Sequence, residues 1–169
     1  MSQFRSGALI LRFLALGLCG VLPQAAAQNA FSQDARIQVA QATAEVRLLE
    51  RTGQLRAAQV AAACNDHTGQ PRLQLLKDGR GLTRIVRFER QTPDHTLRFT
   101  AYLDATGRLR YATGRASGYP GELYNLSAEY DEQGARVFES GKRRAGWASD
   151  LRQMPGLNLS GLLKGQCIP

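Results

Sequence analysis

The stretch LRFTAYLDATGRLRYATGR (97–115) has a near-copy 27 residues downstream, YNLSAEYDEQGARVFESGK (124–142). In the first copy Leu97, Phe99, Ala101 and Leu103 alternate with Arg98, Thr100 and Tyr102. In the second, Tyr124, Leu126, Ala128 and Tyr130 alternate with Asn125, Ser127 and Glu129. Alternation with a period of two marks a half-buried strand. Each run then meets the same punctuation, Asp104-Ala-Thr-Gly107 and Asp131-Glu-Gln-Gly134. Asp at the first position and Gly at the fourth suit a type I turn, with Gly closing the hairpin through a bulge. A second strand leaves each turn, with Tyr111 and Phe138 at matching offsets, and Thr113-Gly114-Arg115 matches Ser140-Gly141-Lys142.

A weaker third copy lies upstream. Leu73 and Leu75 lead through Asp78-Gly-Arg-Gly81 to Ile85, with Lys77 where the other copies carry Leu103 and Tyr130. Residues 72–144 therefore read as three hairpins in a row. The connections between them, Gln91-Thr-Pro-Asp94 and Gly118-Tyr-Pro-Gly121, are also turn-like. Short connections between neighbours imply an antiparallel meander. The expected sheet is curved and has about six strands.

One face of such a sheet needs a cover, and residues 33–63 supply a helical one. Ser32 suits an N-cap and Asp34 the first turn. Ile37, Ala40, Ala44 and Leu48 form the expected inward stripe. Gly53 either kinks one long helix or separates two. Residues 145–169 lack a clean period and read as an irregular tail with one helical turn. The fold class is α+β: an N-terminal helix packed on an antiparallel β-meander of hairpin repeats.

The ends of the chain bound where it works. Arg5 and Arg12 precede the apolar run Phe13 to Leu22, and Ala25-Ala26-Ala27 follows. A basic head, a short apolar core and an A-x-A-like site make a signal peptide over residues 1–27. The run is too short to span a bilayer, which takes about 20 residues. Lipidation at Cys19 is disfavoured by Leu18, where a small residue is wanted. The expectation is one exported domain over 28–169, in the periplasm, envelope or medium. It retains 20 basic against 14 acidic residues, a net +6. Of three cysteines, Cys64 and Cys167 remain after processing. In an exported chain they are expected to form one disulfide tying the tail to the end of the helical region. Closing a loop of about 100 residues contributes roughly 4–5 kcal/mol on the chain-entropy model.

Catalytic constellations are thin. His67 and His95 are the only histidines. Cys64-x-x-His67 offers two ligands where zinc wants three or four, so neither a metal nor a cofactor is implied. No nucleophile elbow, zincin or phosphate-loop motif occurs. Glu122, Glu129 and Asp131 leave a hydrolase as the third reading. The basic excess carries the leading one: a non-enzymatic binding protein whose partner is an envelope protein or an anionic polymer. Arginine forks well onto carboxylate and phosphate. Arg98, Arg108, Arg110 and Arg115, interleaved with tyrosines, are the candidate contacts. Export makes nucleic acid a less natural partner. The alternative is a small inhibitor or adaptor that engages another protein through a sheet edge or through the loops Gln91–Asp94 and Tyr119–Glu122.

Overall fold

The computed structural model describes residues 24–60, 72–119, 121–145, 150–153 and 158–166. It is α+β and mostly sheet. Helix α1 (Gln24–Arg51) precedes seven antiparallel strands: β1 (Arg56–Ala57), β2 (Arg72–Lys77), β3 (Thr83–Gln91), β4 (His95–Leu103), β5 (Leu109–Gly118), β6 (Gly121–Tyr130) and β7 (Arg136–Arg143). A 3-10 turn (Leu151–Gln153) and the short helix α2 (Leu159–Leu163) follow. Spatial order equals chain order, so the sheet is a pure meander with β1 and β7 at its edges.

The turns explain the register. Asp78, Asp104 and Asp131 each accept two backbone N–H bonds on Oδ1, from the residues two and four positions on. In each turn the glycine three positions after the aspartate donates back to its carbonyl at 2.9–3.1 Å. Those glycines take φ of 80–82°, which a side chain would resist. A register shift follows in each hairpin, at Leu76/Lys77, Tyr102/Leu103 and Glu129/Tyr130.

Three expectations about the elements are corrected. The helix neither kinks nor resumes at Gly53: with φ of 69° this glycine caps it, and Gln54 N donates to Leu49 O at 2.9 Å. Arg56 and Ala57 pair with Lys77 and Leu76, so an extra short strand raises the expected six to seven. Ser32 lies inside the helix, which begins upstream in an alanine-rich run of strong helix formers.

A further correction concerns which surfaces meet. The helix does not cover the apolar face. Leu97, Phe99, Ala101, Leu103, Tyr124, Leu126, Ala128 and Tyr130 form one cluster with Leu151 and Leu162 from the tail. The tail is the cover on that side, and Asp150 accepts the Tyr130 hydroxyl at 3.2 Å. The helix lies on the opposite face. Its Val46 packs with Leu76 and Ile85, against Leu55 and Tyr102. Accordingly Ala35, Val39 and Val46 are buried, whereas Ile37 and Leu48 are 50% and 53% exposed. Cys64 and Cys167, the expected disulfide partners, and residues 1–23 lie outside the described residues, as does His67.

Candidate functional site

The register of the sheet lines up side chains in rows across the strands on the helix-bearing face. The row Leu76–Ile85–Tyr102–Tyr111–Glu129–Phe138 lies beneath α1. Arg47 stacks over both tyrosines, at 5.2 and 5.5 Å. Arg36 stacks over Phe138 at 3.8 Å and bonds Glu129 at 2.9 Å. A cleft of about 620 Å³ remains between α1 and the two tyrosines.

The next row is Gln74–Arg87–Thr100–Thr113–Ser127–Ser140. Beyond it runs Arg72–Glu89–Arg98–Arg115–Asn125–Lys142. The helix ends at Arg51, near the start of these rows, where Glu50 pairs with Arg87. Hydroxyls and cations therefore lie side by side on an open half-face. Strands are about 4.8 Å apart, so six positions span roughly 24 Å. At one end the rows border an open cleft of about 1060 Å³ lined by Arg72, Gln74, Arg87, Glu89, Arg98 and Thr100, among others.

The four arginines singled out from the sequence separate into three environments. Arg98 and Arg115 stand opposite one another on this half-face, with side chains 67% and 61% exposed. Each leans on a carboxylate, Arg98 on Glu89 and Arg115 on Glu122, both at 3.3 Å. Arg108 sits in the turn just before β5, at the opposite end from Arg115, and donates to Glu132 O at 3.1 Å, linking two hairpin turns. Arg110 is buried, 3% exposed, with its guanidinium 3.8 Å from Asp104. It is a core residue, unavailable to an external ligand: it alternates in phase with the buried Ala112 and Ala116.

Arg84 has the corresponding role in the preceding repeat. Both arginines lie six positions after a turn aspartate. Arg84 is 2% exposed and donates to Leu103 O (3.2 Å), Asp78 (3.1 Å) and Glu45 of α1 (2.8 Å). Desolvation works to raise the Asp78 carboxyl, but hydrogen bonds from Arg84, Leu82 and Arg80 outweigh it and hold it below its ordinary value. Asp104 behaves alike: desolvation is outweighed by bonds from Thr106 and Arg108 and by the charge of Arg110. These carboxylates are fixed anions that build turns, the wrong state for a general acid.

At the far end of the sheet the two candidate loops meet, since His95 pairs with Gly118. The His95 ring lies 3.0 Å from Thr92 Oγ1, and Thr92 N donates to His95 O at 2.8 Å, so this histidine closes its own turn. Tyr119 beside it is fully exposed.

The four candidate contacts read from the sequence left out Arg72, Lys142 and the hydroxyl row. The signal was available in the repeat, which sets Thr100 against Ser127 and Thr113 against Ser140. Among the described residues no three His, Cys, Asp or Glu side chains gather as metal ligands, and no helix is long and apolar enough to cross a membrane. No family model, curated protein or solved structure matches this chain.

Proposed function

We propose that the protein is an exported, non-enzymatic binding protein of the envelope or medium, built from three copies of one hairpin unit. It holds an extended anionic polymer across its strands, on the half-face that α1 leaves open. One observation carries this reading: the exposed cations Arg72, Arg98, Arg115 and Lys142 share a single cross-strand row beside a row of hydroxyls. A chain of carboxylates or phosphates laid along the row meets a cation or a polar donor on five of six strands. The interruption at Glu89 and the neighbouring Glu122 hold Arg98 and Arg115 in the free protein. Exposed ion pairs are worth only about 0–1 kcal/mol, so a polyanion displaces them cheaply.

The test is titration with polyphosphate and with polygalacturonate, representing the two anion chemistries. Binding is expected to weaken as salt rises, because bound counterions are released. Arg98→Gln/Arg115→Gln/Lys142→Gln should weaken it at least about tenfold, corresponding to roughly 1.4 kcal/mol. Arg108→Gln, outside the row, should leave it unchanged. Undiminished affinity in the triple variant removes the site.

A second reading rests on Tyr119. A bare aromatic at a hairpin tip suits insertion into another protein's pocket, as an inhibitor or adaptor would use it. Capture of a discrete protein that survives high salt and is lost in Tyr119→Ser would favour this reading over the first.

A further inference from the structure

The outer surface of α1 carries a second stripe, diametrically opposite the one that meets the sheet. Asp34, Ile37, Gln41, Ala44, Leu48 and Arg51 recur at alternating spacings of three and four, and all six are exposed. That spacing is the seam of a coiled coil, in which successive positions alternate between the two core sites of the heptad. Isolated exposed apolar residues are ordinary. Here, however, the half-exposed Ile37 and Leu48 share one line with small or polar residues between them and opposite charges at its ends.

The order along the stripe is complementary to its own reversal about a point between Ala42 and Thr43. Turned end for end, Ile37 of one copy meets Leu48 of the other. Gln41 meets Ala44, and Asp34 meets Arg51. Each layer joins one kind of heptad core site to the other, as antiparallel helix pairing requires. A parallel pair would instead set Asp34 against Asp34 and Arg51 against Arg51. Neither of these two residues has an ion-pair partner among the described residues.

We infer that α1 pairs with α1 of a second copy of this chain, antiparallel and back to back, in a two-fold symmetric dimer. A two-fold contact uses the same patch on both subunits and must be self-complementary, which this stripe is. The contact spans about five turns, roughly 27 Å. That is at the small end of specific interfaces, so the dimer is weak, with a Kd on the order of 10–100 μM. The inference does not rest on the proposed ligand rows: the stripe shares no residue with them, although its Ala44 and Arg51 also border the cleft beside Tyr102 and Tyr111.

Sedimentation velocity on the full-length chain, from about 1 to 300 μM, brackets that range. A reversible monomer–dimer equilibrium is expected. Asp34→Arg and Arg51→Asp should each weaken it at least about tenfold, a loss of roughly 1.4 kcal/mol. The double swap Asp34→Arg/Arg51→Asp should return it close to the original Kd. Leu48→Glu should abolish it. All three positions are on the surface, and circular dichroism checks that the helix survives. A chain monomeric throughout, a dimer that the single swaps do not weaken, or a double swap as weak as the singles would each overturn the inference.

Discussion

Arg98 and Arg115 face each other directly across β4 and β5, two like charges in one cross-strand pair. Such a pair is unfavourable by about 0.2–1 kcal/mol. Their salt bridges to Glu89 and Glu122 lie on exposed surface and return little. Stability therefore explains their presence poorly, whereas the proposed polyanion would account for it. Arg115→Thr, a residue well suited to strands, should raise the thermal midpoint by about 1–3 °C while weakening polyanion binding. A scanning calorimetry trace with a clearly lower midpoint would show that the pair serves the fold.

Arg84 gives the opposite expectation. Its guanidinium is almost fully buried between Asp78, Glu45 and the Leu103 carbonyl. Removing one partner of such a network strands the other charges. Arg84→Ala should cost about 3–5 kcal/mol in urea unfolding at neutral pH. Arg84→Ala/Glu45→Gln should cost less than the two single effects combined, since the residues are coupled. Additive costs would mean that Arg84 acts through packing alone.

What the sequence disclosed was local. Alternation over 97–103 and 124–130 and the Asp-x-x-Gly turns specify strands, register and meander, because period and turn chemistry are short-range properties. The facing of α1 was not legible. Apolar residues lie on both sides of this helix, Val39 and Val46 on one and Ile37 and Leu48 on the other, and the sheet decides between them. Its larger apolar face was already taken by Leu151 and Leu162 of the tail, leaving the helix a row of Ile85, Tyr102 and Tyr111. Arg110 misled for a related reason. An arginine in a strand reads as a surface residue, yet here its phase with Ala112 and Ala116 outweighs its charge, and Asp104 receives it inside. The cation row also needed the register between successive hairpins, across β3–β4 and β5–β6, at which only the repeat offset hinted.

Acid should loosen this fold through its turns and tail. Asp104 is held below its ordinary value against desolvation by bonds from Thr106 and Arg108 and by Arg110, and Asp150 against desolvation by its bonds to Arg152. A carboxylate with a lowered folded value takes up its proton later than the unfolded chain does. Its stabilisation is thus fully present above about pH 4 and is lost as pH falls through the lowered value. The urea midpoint should fall steeply below that point, and the fall should be shallower in Asp104→Asn and Asp150→Asn. Unchanged acid slopes in both variants would assign acid sensitivity to other groups.

Gly141 should be the least replaceable glycine of the hairpins. Its φ is 119°, and a Cβ placed there would lie 2.0 Å from Asn125 O on the neighbouring strand. Gly134, with φ of 80°, has nothing within 4 Å of the same atom. Gly134→Ala meets only backbone strain, about 1–3 kcal/mol. Gly141→Ala meets that strain and a collision with backbone, which rotamer change cannot relieve, so β7 must separate from β6. Since β7 is an edge strand, the damage should be local. Amide exchange along 136–143 should rise toward the unfolded rate while β3 to β5 stay protected. The cation row would lose Lys142, and polyanion affinity would fall without global unfolding. Equal costs at the two glycines, or exchange rising uniformly over the sheet, would refute this account of the β6–β7 contact.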